Sequence, residues 1–313
     1  MVEKVNFPPL VGGVIMGVMR GGPPMRKRKE FITGILFVLP GILGLAIFKI
    51  YPIVASFFYS FTEYHVTLPP KWVGLKNYLE LFQDQLFLKS LWNTFWYFIG
   101  LVPLGLIVGL GLALLLVKDI KGISFFRAAM YMPSVVPVYA FAVVALNFFN
   151  PYLGFVNGLL AKLGIPGPLW TADERLVKLT IILIAQWGAG NQAMIFMAAI
   201  KDIPREIFES ALIDGANKWQ IFRKITLPMI TPAILYYLVY SSILALQFFD
   251  LPQIMFGGGP NNTTLSLAIY LYRHAFRYGN MGYASSMAWL MFIAAFAVSI
   301  LYLRTSRKWV FYG

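Results

Sequence analysis

The sequence predicts an all-α membrane protein with six transmembrane helices, and three observations carry that prediction. Of the 313 residues, 59% are hydrophobic and only 12% are charged, about half the roughly 25% charged share of an ordinary soluble domain. The apolar residues gather into runs of about 20 or more, the length of helix that crosses a bilayer. Those runs lack the polar stripe that a helix on a soluble core shows.

The first run, Phe31 to Ile50, holds one charge, Lys49, near its end. Five more contain none: Thr94 to Val117, Ala128 to Phe149, Leu179 to Ile200, Met229 to Phe249 and Ala284 to Leu303. Lipid offers no water to backbone groups, so each run is expected to be helical, and Pro40, Pro103, Pro133 and Pro137 are compatible with membrane helices. Ahead of the first run lies an N-terminal segment, residues 1–30; residues 31–313 form one membrane domain. Within the segment, Phe7 to Met19 is apolar but too short to span, and Gly21 to Pro24 interrupts it. Met25 then leads into Arg26, Lys27, Arg28 and Lys29. The basic cluster follows the apolar run, which is not the order of a cleavable signal peptide. Met1 to Pro24 is expected to be a dispensable extension ahead of a start at Met25; an intact Met1 in the native protein's mass spectrum would overturn that.

The net charge of +13 raises nucleic acid as a partner, but its distribution points to topology. With six spans, one side holds the N-terminal segment, 118–127, 201–228 and 304–313, with 17 Lys and Arg. The other side holds 51–93, 150–178 and 250–283, with 8 in a larger number of residues. The positive-inside rule puts both termini in the cytoplasm, and no nucleic-acid role is needed to explain the charge. There is no cysteine, which removes disulfide and thiolate–metal chemistry. His65 and His274 fall in different outside loops and read as solvated or hydrogen-bonded histidines. No metal site and no catalytic set is expected.

The longest cytoplasmic loop between spans, residues 201–228, reads KDIPREIFESALIDGANKWQIFRKITLP. Pro204 suits a first helical position, with Asp202 before it and Glu206 in the first turn. Ile207, Phe208, Ala211 and Leu212 share one helical face. Gly215 permits a sharp turn. A second short helix is expected from Asn217 to Ile225, ended by Leu227 and Pro228. The object is a helix-turn-helix at the inner membrane face.

This loop resembles the signature of the permease subunits of binding-protein-dependent ABC importers. Glu209-Ser210-Ala211, Gly215, Ile225 and Leu227-Pro228 keep every spacing of that pattern, with Ser210 the one departure. The likeness continues from Phe31 to the C-terminus, through Tyr51-Pro52, WVGLKNYLELF before Asn93-Thr94, MPSVVPVYAFAVVALNFFNPYLGFVN, Gly257-Gly258-Gly259-Pro260, and the tail from Arg307 to Tyr312. It is similar to the carbohydrate branch, and there to the subunit type of the larger maltose permease. The extra spans and large outside domain of that permease are missing here, which weakens transfer of its substrate. The resemblance implies a type I ABC importer permease fold in the bacterial inner membrane. It implies a second homologous permease making a heterodimer, two ATPase subunits that bind ATP and Mg, and an extracytoplasmic sugar-binding protein. This chain would bind no cofactor of its own.

By the same resemblance the loop is a coupling pair that docks in a cleft of the ATPase. An amphipathic helix laid in a groove buries its apolar face, here Phe208, Ala211 and Leu212. Glu209 would pair with a polar or basic group of the ATPase, and Gly215 would make the turn. Taken alone, Glu209 reads as a solvated charge or a partner of Arg205 rather than a docking group; the full spacing pattern reverses that and favours docking.

Polar groups in lipid are costly and face the bundle interior. The fourth run offers Gln186, Trp187, Gly188, Asn191 and Gln192; the fifth offers Ser241, Ser242, Gln247, Phe248 and, at its outer end, Asp250. The resemblance puts Trp187, Gly188, Asn191, Ser241, Leu244, Ala245 and Phe248 at sugar-facing positions. Gln247 joins them as a polar neighbour. Ser241, Leu244, Ala245 and Phe248 do share one helix face, as do Trp187, Gly188 and Asn191. Interhelical packing explains the same residue types, so both readings stand at this point. An ion-coupled secondary sugar transporter is the alternative function; it calls for charges inside the spans, which five of the six lack. The chain has no GxxxxGK[ST] sequence, so ATP hydrolysis is assigned to a partner.

Overall fold

The computed structural model describes residues 24–311. The expected N-terminal extension before Pro24, and Tyr312 of the tail, lie outside the described residues. The chain divides into two compact units, one ending at Ser56 and one covering Phe57–Gly313.

The first unit is helical where it is described. Helix α1 (Pro24–Leu45) passes through a π turn, Ala46–Ile50, into α2 (Tyr51–Ser60). The apolar stretch of this helix is Phe31–Ser60, ten residues longer than the sequence run, because Pro52 enters near the start of α2, where a missing N–H costs little.

The second unit opens with a short hairpin, β1 (Thr62–Glu63) against β2 (Lys71–Trp72), antiparallel with Thr62 opposite Trp72. Helix α3 (Lys76–Gln83) follows, and Asp84 then caps α4 (Gln85–Leu116), its Oδ1 accepting the Leu86 N–H at 2.8 Å. At 32 residues, α4 is the organising helix. It packs against α9 (Gly190–Lys201) and α13 (Thr231–Leu246). Small residues let backbones approach: a Cβ on Gly109 would stand 2.8 Å from the Gln192 Cβ, and one on Gly105 would strike the Tyr237 hydroxyl. That hydroxyl donates to the Val102 carbonyl at 3.0 Å, tying α13 to α4. Helix α16 (Met281–Ser306) packs on α13 and closes the bundle.

Among the described residues five helices are long and apolar enough to span, and one bent pair makes six if its two arms count as a single span. The third expected span, Ala128 to Phe149, is not one straight helix. Helix α5 (Ile123–Tyr131) ends in a 3₁₀ turn, Met132–Val135, and α6 (Val138–Phe148) leaves at 100° to it. The cause is the proline pair. Pro137 bars Val136 from helical backbone, and both residues are extended, with ψ of 131°. The break lets α5 touch the fourth span where Gly190 stands; a Cβ there would overlap the Met130 carbonyl.

Two more spans are interrupted. The fourth runs Val177–Lys201 as α8 (Val177–Ala185), a 3₁₀ turn at Gln186–Ala189, and α9. The fifth runs Thr231–Phe256, with α13 yielding at Gln247 and resuming as α14 (Asp250–Phe256). Asp250, expected at the outer end of that span, is instead the first residue of its last segment. The connection after Phe148 carries α7 (Phe155–Lys162), and that before α16 carries α15 (Leu267–Tyr272).

Candidate functional site

Residues 201–228 form a two-helix turn. Pro204 takes the cap position, with φ −55° and ψ 136°, and α10 runs Arg205–Ile213. Gly215 stops it at φ +78°. The Ala216 N–H donates to the Ala211 carbonyl at 2.9 Å and the Gly215 N–H to that of Leu212 at 3.0 Å. This pair of bonds closes a helix on a left-handed residue. Asn217 and Gln220 then cap α11 (Lys218–Ile221) reciprocally: each side-chain oxygen accepts the other's backbone N–H, at 2.9 and 2.8 Å.

The expected end at Leu227-Pro228 is overturned. The helix widens to a π turn at Phe222–Thr226, continues as α12 (Leu227–Met229) and breaks at Ile230. Pro228 sits near the start of a helical turn, so its missing N–H forfeits little.

The apolar face of α10 is split. Ile207 and Phe208 pack inward on a core containing Val102, Phe196 and Ile230. Phe208, expected in a partner's cleft, is thus half-buried by its own chain. Ala211 is half-buried, Glu209 and Ser210 are exposed, and Leu212, Ile213 and Trp219 stand 61, 86 and 65% exposed. Arg205 approaches Asp119 at 4.0 Å, and Glu209 makes no ion pair among the described residues.

A cavity of about 440 Å³ lies within the second unit. All three interrupted spans reach it: Pro133, Val136 and Val138 from the break in the third, Gln186 to Gly188 from the 3₁₀ turn, and Gln247 to Leu251 from the fifth. Trp187, Gly188, Ser241, Leu244, Ala245, Gln247 and Phe248 all line it. Asn191 does not; it is exposed. Between Trp187 and Asn191 the chain leaves the 3₁₀ turn and enters α9, so the single straight-helix face expected for these residues is not formed. Gln192 lines the cavity instead.

The walls mix flat rings with amide and hydroxyl groups. Trp187 faces Phe141 with centroids 6.1 Å apart, and Phe248 meets Tyr97 edge-on at 5.2 Å. The Ser241 hydroxyl donates to the Tyr237 carbonyl at 2.6 Å, and the Gln186 amide donates to the Ile182 carbonyl at 3.0 Å. Asp250 is the one ionisable acid or base in the wall besides the phenol of Tyr237. Sequence reasoning missed Tyr237, Phe141 and the residues flanking the proline break. Tyr237 was within reach, one turn before Ser241 on the same face; Val136 and Val138 were not, since only the 100° bend aims them here.

Residues 101–310 match the model of the "Binding-protein-dependent transport system inner membrane component" family. The chain belongs to this family. It is 38% identical to the probable ABC transporter permease protein YesP of Bacillus subtilis (strain 168), over 93% of this chain and 97% of that one. It is 33% identical to the sulfoquinovosyl glycerol transport system permease protein SmoG of Agrobacterium fabrum (strain C58 / ATCC 33970), over 88% of this chain and 91% of that one. A solved bacterial alginate ABC transporter, in complex with an alginate pentasaccharide-bound periplasmic protein, contains a chain of the same fold: TM-score 0.79, 22% identity, 90% of this chain and 96% of that one. The chain is therefore a membrane component of a binding-protein-dependent transport system.

Proposed function

We propose that this chain is the permease subunit of an ATP-driven importer and forms half of the path for a sugar or oligosaccharide. The observation that carries the reading is the cavity: three interrupted spans open on it, and every expected path residue except Asn191 lines it. Broken helices around a polar cavity are how membrane proteins expose hydrogen-bonding groups to a solute at depth. Trp187, Phe141 and Phe248 supply flat apolar faces for sugar rings; Gln186, Gln192, Gln247 and Ser241 supply donors and acceptors for hydroxyls. Relatives named for lactose and for trehalose/maltose transport support a saccharide as cargo.

The turn at 201–228 is the second support. Leu212, Ile213 and Trp219 are too exposed and too close together to be left to water, and Glu209 and Ser210 lie beside them. In this reading they dock on an ATPase subunit, while Phe208 and Ile207 carry the motion into the core. ATP and Mg stay on two partner ATPase subunits, and this chain is non-catalytic. A second homologous permease completes the path, and an extracytoplasmic binding protein delivers the sugar. The charge bias supports cytoplasmic termini in the bacterial inner membrane. ATP binding closes the ATPase pair, the docked turns follow, and the spans open outward; hydrolysis restores the inward-open state.

The test is binding-protein-stimulated ATPase activity of the complex reconstituted in liposomes, across mono-, di- and oligosaccharides. One sugar class should stimulate the wild type, and Glu209→Ala should lower that stimulation by about tenfold or more, with stability changed by less than about 0.5 kcal/mol, as for other surface substitutions. Transport driven by an ion gradient with no ATPase recruited would replace the reading with a secondary transporter.

A further inference from the structure

We infer that Lys89 and Lys178, with Trp92 and Trp96, form a binding site for the headgroup of an anionic phospholipid. The four residues meet where α4 and the start of α8 come together. The Lys89 ammonium donates to the Asn261 carbonyl at 2.7 Å. The Lys178 ammonium donates to Asn93 Oδ1 at 3.1 Å, and Asn93 in turn donates to the Asn262 and Leu265 carbonyls at 3.0 and 2.9 Å. Both lysines are therefore tethered to one stretch of loop, close enough for their charges to repel. No carboxylate pairs with either among the described residues. Each ammonium has three donors, and the bonds above use one of each. Two cations held together by neutral oxygens, with donors to spare, lack an anion.

The surroundings choose the anion. Lys178 stands 5.8 Å over the Trp96 ring, which favours a cation but leaves its charge uncompensated. Toward the apolar body of α4, Leu91, Trp92, Phe95, Trp96 and Ile99 are all exposed, and Trp92 stacks on Phe95 at 5.6 Å. The charge-free run of this helix begins at Thr94. Exposed tryptophans at the head of such a run, with lysines just beyond them, mark the level of lipid headgroups. A phosphodiester there would take hydrogen bonds from both ammonium groups while its acyl chains lie along the exposed apolar ribbon. An acidic side chain from a partner protein would satisfy the lysines but would leave that ribbon bare.

The test uses the assembled complex in neutral detergent, titrated with phosphatidylglycerol, phosphatidylcholine or inorganic phosphate, with bound lipid counted by native mass spectrometry and stability followed as Tm. Phosphatidylglycerol should be retained and should raise Tm, while the other two should not. Lys89→Gln/Lys178→Gln should weaken retention roughly thirtyfold, as expected for two basic residues at a membrane surface, and Lys89→Arg/Lys178→Arg should restore it. Lys89→Gln alone, at a half-buried position, reads the same effect in part if the double variant folds poorly. Equal retention by wild type and double variant would overturn the site. So would a Tm gain reproduced by inorganic phosphate, which would make it a site for a free anion. So would a loss confined to association with the binding protein, which would make it a protein contact.

Discussion

The two ends of the second unit are built differently. Around Asp84 and Asn93 the chain is stapled by long-range hydrogen bonds. Asn93, 1% exposed, reaches two carbonyls of the 262–265 stretch, Thr94 accepts the Leu267 N–H at 2.8 Å, and Asp84 accepts from the Tyr270 and Tyr283 hydroxyls at 2.5 and 3.0 Å. Among the described residues the 201–228 end has local hydrogen bonds, a capping box and a glycine-stopped helix, with one exposed ion pair from Arg205 to Asp119, and it leaves large apolar side chains in the open. A buried polar network is costly unless fully satisfied and rigid once it is. One end is therefore held by hydrogen bonds between distant parts of the chain itself; the other presents a surface that needs a partner. In the proposed importer that is the expected division of labour, with a stiff outer plate and an inner handle.

The contrast can be broken from either side. Asn93→Ala strips two carbonyls and Lys178 of a buried partner, and about 2–4 kcal/mol of stability should go with it. Thermal unfolding should show the drop, while ATPase recruitment stays intact in whatever fraction remains folded. If recruitment falls in step with the folded fraction's own activity, the two ends are not independent. A smaller effect is expected from Gly215→Ala. At φ +78° a Cβ costs roughly 1–2 kcal/mol. The loss should appear mainly as weaker ATPase coupling, because nothing lies within 4 Å of the added methyl.

The smallest effect is a pH dependence of the stapled end. His274 is ringed by Tyr270, Tyr283 and Tyr278 at 4.6, 4.7 and 5.1 Å, and its Nδ1 is buried without a partner. Burial holds its pKa below the usual 6.5, against the opposing pull of Asp84. The folded state thus prefers the neutral ring, so stability is fully present above about pH 6.5 and declines as pH falls below it. At Asp84 burial pushes the carboxyl up, yet the hydrogen bonds from Tyr270, Tyr283, Phe87 and Leu86 together hold it below 3.8. Its contribution is lost only below about pH 4. Melting curves between pH 7.5 and 5 should show the decline in the wild type, and His274→Gln should flatten it. An unchanged slope in that variant would remove His274 from the account.

Much of this was legible beforehand. Membrane spans announce themselves because an apolar run must be about as long as the bilayer is thick, and five of the six expected spans coincide with long apolar helices. The 201–228 turn was legible because its signals are local: Gly215, Asn217 and Gln220 act within a few residues. Pro133 and Pro137 were read as compatible with one helix through the third span; a proline pair states that a helix is weakened, not by what angle it turns. The place of Asn191 outside the cavity was not legible either: its face was projected along a straight 3.6-residue helix, and the span is interrupted by a 3₁₀ turn.

The sequence alone determined the class of molecule, the long apolar runs, the uneven distribution of basic residues along the chain and the local design of the turn, because these depend on composition, length and near-neighbour spacing. Tertiary structure decided the rest. It broke three spans at the places where they reach one cavity, divided the α10 face between core and surface, and joined Asn93 to carbonyls some 170 residues along the chain. Those outcomes depend on which backbones approach closely enough to touch, and that follows from the packing of the whole bundle around α4.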